Sequence, residues 1–346
     1  MNDISQRSFF QNLSTLLAFT ARLSFAATVI LIPVRYRIVL LPRPNPPIYG
    51  DYTGVLLPII TPFDEKVRVD EPVMRQLVDF HIKAGVQGLF VLGSTGQGPA
   101  MTVEERKQAA SIALDQAKSR VPVIIHVGTA DTGSAVELAE HAAAHKADAV
   151  AIVPPYYYSD HTEYEIIAHY KAVHQAVPLP IYIYENPKYS GITIPPGLAV
   201  RMKEQVPALK GIKVAYGQGA LLEYVRLLPD VSVFTGNADL FGLVPFGVAG
   251  MINPPTSFVP ELCVELFNAL DRKDYAEAVE AQKRVDGAAR IVAARLRKYG
   301  RVPLQEVFRM RGFAVKRFPK WETEQMPKEE IAKLERELRE AGILGQ

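Results

Sequence analysis

The chain has 346 residues, of which 48% are hydrophobic and 22% are charged, a composition typical of a globular protein with one large or two smaller domains. Its net charge of +2 excludes bulk electrostatic attraction to nucleic acid or to an anionic membrane. The single cysteine, Cys263, excludes a disulfide framework within one chain, and its apolar surroundings predict a buried thiol. No Cys-x-x-Cys or His-Glu-x-x-His spacing indicates a metal site.

Residues 1–50 differ in composition from the rest of the chain. They contain five arginines, no lysine and one acid, Asp3, so their net charge is +4 and that of the remainder is −2. The apolar run 23–34 is shorter than the ~20 residues that span a bilayer. We interpret this segment as a dispensable extension with a proline-rich linker at 41–47, which predicts a cytoplasmic protein. The alternatives are an organellar presequence and a membrane signal.

From Gly54 onward, short apolar runs alternate with longer segments of helical periodicity. The runs are continuously apolar rather than alternating, as expected for parallel strands that are buried on both faces. The predicted strands are 54–60, 88–92, 121–127, 148–153, 180–185, 210–215, 231–235 and 248–252. The clearest helical segments between them are 70–84, 102–118, 132–145 and 160–176, and Thr102 with Glu105 forms the pattern of a capping box.

Eight strand–helix units over about 220 residues predict an α/β fold of the (β/α)₈ barrel type. A doubly wound open sheet is the alternative, but it usually carries a glycine-rich fingerprint after its first strand, where this chain has Thr61-Pro62-Phe63. Beyond about residue 272 the pattern is helical and free of strands. We therefore divide the chain into an extension (1–50), a barrel (51–272) and a C-terminal helical region (273–346).

Lys213 lies in the predicted strand 210–215 between Ile212 and Val214. Because side chains alternate along a strand, the two apolar neighbours are expected to face the helices and Lys213 the barrel interior. Lysine is rarely buried unless it is paired. Burial lowers the lysine pKa and produces the neutral amine that attacks a carbonyl carbon. A structural ion pair is the alternative interpretation.

Other reactive side chains follow the predicted strands at the end where barrel enzymes carry their active sites. The turn 93–98 after the second strand combines glycines with Ser94 and Thr95, which suits the binding of a carboxylate. Three tyrosines, 156–158, follow the fourth strand, and Tyr184 ends the fifth. Each feature also has a structural interpretation. The turn 93–98 could be a plain connection, the tyrosines 156–158 a packing or subunit-interface patch, and Tyr184 a core residue.

Together, the turn Gly93-Ser94-Thr95-Gly96, the loop Pro155-Tyr156-Tyr157, the strand end Tyr184-x-Asn186-Pro187 and the strand Gly211-Ile212-Lys213 resemble the dihydrodipicolinate synthase / N-acetylneuraminate lyase family. The order and spacing of these motifs are specific, and the resemblance extends from about Gly54 to the C-terminus. It implies a (β/α)₈ barrel with a C-terminal helical region. It also implies a homotetramer without a metal or organic cofactor.

The resemblance assigns roles to several residues of the motifs. Lys213 matches the lysine that forms an imine with pyruvate, and Tyr184 matches the tyrosine that moves protons to and from the substrate. Ser94 stands in the proton relay. Tyr157 matches the tyrosine that completes the relay from an adjacent subunit.

The resemblance also predicts which residues bind substrate. Thr95, with backbone N–H groups of the turn that starts at Gly93, is expected to hold the pyruvate carboxylate. Ile252, after the eighth strand, matches an apolar residue that faces the bound keto acid. Tyr189 is expected to line the site of the second substrate.

Three departures from the family pattern bear on that second substrate. Gln97 replaces a glutamate at the end of the turn, and Asp239 is the only acid in the stretch 236–239 where sialate lyases have two adjacent acids. Tyr189 occupies the position of the arginine with which the synthases bind the carboxylate of their aldehyde. These departures argue against the acidic aldehyde of the synthases and against the sugar substrate of the sialate lyases. They favour an uncharged aldehyde.

The resulting hypothesis is a pyruvate-dependent class I aldolase or lyase that joins or separates a 2-oxo acid and an aldehyde, with 2-keto-3-deoxy sugar acids as candidate substrates. A dihydrodipicolinate synthase that condenses pyruvate with aspartate semialdehyde is one alternative. A non-catalytic 2-oxo-acid binding protein is an alternative from another class. The expected partners are small molecules and further copies of this chain, not nucleic acid or membrane.

Overall fold

The computed structural model describes residues 52–215, 218–253 and 256–345. Eight parallel strands pair in chain order, and the eighth pairs with the first to close a barrel. The strands are β1 (Gly54–Pro58), β2 (Gly88–Val91), β3 (Val123–His126), β4 (Ala149–Ile152), β5 (Ile181–Glu185), β6 (Leu209–Val214), β7 (Ser232–Thr235) and β8 (Gly250–Met251). The predicted (β/α)₈ barrel is confirmed, and each strand end lies within two residues of its predicted position.

Helices surround the barrel and continue beyond it. They are α1 (Glu71–Lys83), α2 (Val103–Ala117), α3 (Thr132–Ala144), α4 (Glu163–Ala176), α5 (Pro187–Ser190), α6 (Pro196–Gln205), α7 (Gln218–Leu227), α8 (Pro260–Asp271), α9 (Tyr275–Tyr299), α10 (Val302–Met310) and α11 (Lys328–Glu340). The prediction of eight regular units is wrong at one point, since only a 3₁₀ turn, Val244–Phe246, separates β7 from β8. Gly242, Pro245 and Gly247 disfavour an α-helix in this segment.

Capping residues start the helices directly after the loops that follow the strands. The predicted capping box of α2 is present, because the Thr102 side chain accepts a bond from the Glu105 N–H while the Glu105 carboxylate accepts one from the Thr102 N–H. Thr162 and Glu165 form the same arrangement at α4. These short, fixed connections hold the loops at the carboxyl ends of the strands in place.

The buried side chains form two layers. In β5, Ile181 and Ile183 belong to the large cluster between barrel and helices, whereas Tyr182 and Tyr184 belong to a smaller cluster inside the barrel. Tyr182 and Tyr184 therefore share the inward face of β5. Gly211 in β6 makes room for one of them, because a Cβ atom at this position would lie within 2 Å of the Tyr182 ring.

The C-terminal helices contact the barrel near the end of β2. The guanidinium of Arg301, between α9 and α10, donates to the Ser94 carbonyl. The Lys320 N–H donates to the side-chain oxygen of Gln97, and the Lys320 ammonium pairs with Glu105. The C-terminal helical region therefore covers part of the barrel at the end where β2 finishes.

The predictions for residues 1–50 lie outside the described residues. Among the helices of the described part of the chain, none combines the length and the apolar character needed to cross a membrane. Cys263 in α8 is buried, as predicted, and burial raises the pKa of its thiol to about 12.

Candidate active site

Lys213 lies near the end of β6 with only 2% of its surface exposed. Its neighbours Ile212 and Val214 pack in the outer layer, as the alternation predicts, so the lysine points into the barrel. Its Nζ atom lies 4.1 Å from the centroid of the Tyr184 ring and 4.6 Å from that of Phe90. The amine is therefore enclosed by two aromatic rings.

The Lys213 amine forms no ion pair with the described residues, and burial lowers its pKa from 10.5 to about 7. Contact with aromatic faces favours an ammonium by roughly 0.5–2 kcal/mol. The loss of hydration is larger, since a pKa near 7 corresponds to about 5 kcal/mol against the charged form. A substantial fraction of Lys213 is therefore a neutral amine near pH 7.

Tyr184 links this lysine to a chain of hydrogen bonds. Its phenol oxygen lies 2.9 Å from the Ser94 hydroxyl and accepts a bond of 2.7 Å from the Asn186 amide. Burial raises the pKa of Tyr184, although the bonds with Ser94 and Asn186 and the charge of Arg301 oppose that rise. Tyr184 therefore stays a neutral phenol near pH 7, able to donate a proton and, through Ser94, to recover one.

Two cavities meet at Tyr184. The lysine cavity, of ≈ 410 Å³, contains Lys213 and Thr95, and the histidine cavity, of ≈ 270 Å³, contains His126 and Gln97. Both are lined by Ser94, Tyr184, Asn186, Tyr189 and Arg301. A molecule bound covalently to Lys213 therefore lies beside residues that also line the histidine cavity.

Three further predicted residues lie close to this centre. Thr95 is buried in the wall of the lysine cavity, and Ile252 is fully buried in the cluster inside the barrel. Gly93 passes so close to the Phe90 ring that a Cβ atom would lie 2.6 Å from it. The structure thus brings Lys213 and Tyr184 together with the turn that follows β2.

Comparison with known proteins decides the family. The model of the dihydrodipicolinate synthetase family matches residues 51–341. The chain belongs to this family. The resemblance carried by the four motifs is therefore confirmed, and so is the reaction class, a lyase of the class I aldolase type.

Relatives in the dihydrodipicolinate synthetase family carry names for two different reactions. The 4-hydroxy-tetrahydrodipicolinate synthase of Rhizobium meliloti is 32% identical over 265 residues, which cover 75% of this chain and 90% of that protein. YagE of Escherichia coli strain K12, named as a candidate 2-dehydro-3-deoxy-D-gluconate aldolase, is 33% identical over 66% of this chain and 77% of its own.

Solved structures of the family share the barrel. YagE in complex with pyruvate superposes with a TM-score of 0.77 at 27% identity, over 84% of this chain and 99% of its own. Dihydrodipicolinate synthase from Aquifex aeolicus gives the same TM-score at 26% identity, with the same coverage.

Tyr157, the remaining relay residue of the family pattern, is not brought to Ser94 and Tyr184 of its own chain. It is 84% exposed, and its ring contacts that of Tyr158. Its neighbour Tyr156 lines the histidine cavity instead. The role of Tyr157 in an adjacent subunit stays a prediction.

The three departures from the family pattern have different surroundings. Gln97 is buried, and its backbone adopts the left-handed conformation. Its side-chain oxygen accepts a hydrogen bond from the Lys320 N–H. Asp239 accepts a bond from the Gly242 N–H. Tyr189 is 51% exposed and lines both cavities, and its hydroxyl lies 3.2 Å from Nη2 of Arg301.

Arg301 and His126 are site residues that sequence reasoning missed. Arg301 follows a long helix, and nothing in its local pattern indicates a contact with Ser94. His126 ends β3, so its position at the carboxyl end of a strand was a usable signal. Its Nδ1 lies 3.2 Å from the Leu92 carbonyl, and burial and the charges of Arg106 and Lys213 lower its pKa well below the usual value. The imidazole is therefore neutral.

Replacing Lys213 by methionine is expected to stabilise the fold, by roughly 3–5 kcal/mol at pH 6. Because the pKa of Lys213 falls from 10.5 to about 7 on folding, the folded protein binds this proton less tightly than the unfolded chain. The destabilisation by Lys213 is fully present below pH 7 and fades as the pH rises towards 10.5.

Urea unfolding of the wild type and of Lys213→Met at pH 6 and pH 9 measures this difference. Lys188→Met is a control, since Lys188 is a neighbouring lysine outside the barrel interior. A gain for Lys213→Met that is equal at both pH values would contradict a buried, unpaired amine.

Proposed function

We propose that this protein is a Schiff-base lyase that acts on pyruvate or a longer 2-oxo acid together with an aldehyde. The observation that carries the proposal is the buried Lys213 amine, whose pKa is lowered to about 7 and which touches the Tyr184 ring. The pyruvate complex of YagE, a relative with the same fold, supports the choice of substrate. The lysine cavity has room for a small 2-oxo acid.

The proposed chemistry begins with the neutral amine. Nζ of Lys213 attacks C2 of the 2-oxo acid, the C–O bond breaks, and water leaves to form a protonated imine. The imine then accepts the electron pair released when either a C3–H bond or the C3–C4 bond breaks. In the synthetic direction the enamine attacks the aldehyde carbon, and hydrolysis of the new imine releases the product.

Tyr184 is proposed to move the protons of these steps. The phenol reaches the Ser94 hydroxyl and the Asn186 amide, so a proton given to a leaving oxygen can be replaced through Ser94. Thr95 and the backbone near Gly93 are proposed to hold the carboxylate of the 2-oxo acid. Ile252 is proposed to form part of the apolar surface behind it.

Two kinds of aldehyde partner are candidates. The names of relatives support both a 2-keto-3-deoxy sugar acid and the pair of pyruvate and aspartate semialdehyde. The intact arrangement of Lys213, Tyr184 and Ser94 argues against a binding protein without catalysis.

The proposal includes a cofactor-free reaction, a homotetramer and a cytoplasmic location. The imine itself supplies the electron sink, so the mechanism requires no organic cofactor or metal. The exposure of Tyr157 supports contact with a second copy of the chain.

Borohydride added with pyruvate is expected to attach pyruvic acid less one oxygen to the peptide that contains Lys213. The yield at short times should rise as the pH passes through about 7, because the neutral amine is the nucleophile. Peptide mass spectrometry measures both, with Lys213→Met as the control. No adduct, or an adduct that persists in Lys213→Met, would contradict the proposal.

Tyr184→Phe is expected to lower kcat by about 10²–10⁴-fold, since it removes the hydroxyl that moves protons while keeping the ring next to Lys213. Because phenylalanine preserves that ring, borohydride trapping of pyruvate should still reach completion, although more slowly. Steady-state kinetics and trapping on the same preparation measure the two effects. An unchanged kcat would exclude Tyr184 from the relay.

A further inference from the structure

The guanidinium of Arg301 lies where the lysine cavity and the histidine cavity meet. It lines both cavities, donates to the Ser94 carbonyl at 2.6 Å and lies 3.2 Å from the Tyr189 hydroxyl. Ser94 in turn contacts Tyr184, which contacts Lys213. The charged group of Arg301 is therefore connected to the amine of Lys213 through Ser94 and Tyr184.

Arg301 has hydrogen-bond donors and a positive charge that the described part of the chain leaves unpaired. A guanidinium carries five N–H groups, and the contacts with Ser94 and Tyr189 use two of them. By contrast, Arg295 in α9 pairs with Glu337, and Arg309 in α10 pairs with Glu306. No carboxylate of the described residues forms such a pair with Arg301.

The guanidinium is also fixed in position. The Ser94 carbonyl and the Tyr189 hydroxyl hold its edge, and the ring of Trp321 lies 5.8 Å from its central carbon. A guanidinium held in this way loses little further freedom when it binds a planar anion through two parallel hydrogen bonds.

The position of Arg301 changes what the tyrosine at position 189 indicates about the charge of the aldehyde. The missing arginine at position 189 argues for an uncharged aldehyde only if no other cation takes its place. In the folded protein Arg301 contacts Tyr189 itself, so a cation is present at this point although it comes from the C-terminal region.

We propose that Arg301 binds a carboxylate at the far end of the second substrate, so that the aldehyde partner is an aldehyde acid. In the cleavage direction the substrate is then a 2-oxo acid with a second carboxylate. The inference rests on the proposed function, because it assumes that a 2-oxo acid is attached to Lys213.

Other polar atoms of the histidine cavity restrict where the carboxylate binds. Among the described residues, the Gln97 amide nitrogen is a buried donor without a partner, whereas His126 Nε2 and Asn186 Oδ1 are buried acceptors without a partner. Acceptors repel a carboxylate, so the anion is directed to the side of Arg301 and Gln97. The two acceptors suit hydroxyl groups along the chain between the aldehyde and the carboxylate.

The test compares acid and neutral aldehydes of equal length as partners for pyruvate. Glyoxylate is paired with glycolaldehyde, and succinic semialdehyde with 4-hydroxybutanal. The wild type is expected to prefer the acid in at least one pair by more than tenfold in kcat/KM. Arg301→Gln should lower kcat/KM for that acid by about 10–100-fold more than for the neutral partner, because it removes a charge-assisted bond to the acid alone.

Three controls separate recognition from structural support. Loss of the Ser94 contact alone would lower the activity with acid and neutral aldehydes alike, so the ratio between them reports recognition. Arg301→Lys keeps the charge without the planar fork and should retain part of the preference. Arg290→Gln removes an arginine of α9 that lines neither cavity, and it should leave the ratio unchanged.

The outcomes are distinguishable. Equal kcat/KM for acid and neutral aldehydes in the wild type, or a preference that survives Arg301→Gln, would overturn the inference while pyruvate trapping on Lys213 still occurs. Condensation with no acid aldehyde would overturn it as well. The absence of trapping in the wild type would overturn the proposed function itself.

Discussion

The removal of one amine from water is the constraint on which the rest of the site depends. Lys213 lies among aromatic rings, and no carboxylate of the described residues pairs with it, so the cost of burying its charge makes it a nucleophile near pH 7. A carboxylate in contact would restore the charge and abolish that reactivity. A site of this kind destabilises the folded protein, and the large buried core around the barrel offsets that loss of stability.

The barrel turns this one amine into a site because parallel strands end on the same side. The end of β6 supplies Lys213, the end of β5 supplies Tyr184, and the turn after β2 supplies Ser94. The C-terminal region then adds Arg301 at the junction of two cavities. Attachment of the first substrate is thus determined by the strands, and selection of the second involves a residue from outside the barrel.

The barrel and its central residues could be predicted because their signals are local. Alternation around Ile212 and Val214 is enough to turn Lys213 inward, and the spacing in β5 is enough to place Tyr184 on the same side. Arg301 could not be predicted in this way, since its contact with Ser94 joins residues 207 positions apart in the chain. The role predicted for Tyr157 involves a second chain, so neither the pattern of one sequence nor one folded chain determines its partner.

An NMR titration of the Lys213 side-chain nitrogen, in protein with isotope-labelled lysine, tests most directly whether this amine is the nucleophile. Comparison with Lys213→Met assigns the resonance. We expect a pKa near 7 in the free protein, and loss of this titration when pyruvate is added, because the nitrogen becomes an imine. A pKa close to the ordinary 10.5, unchanged by pyruvate, would contradict it.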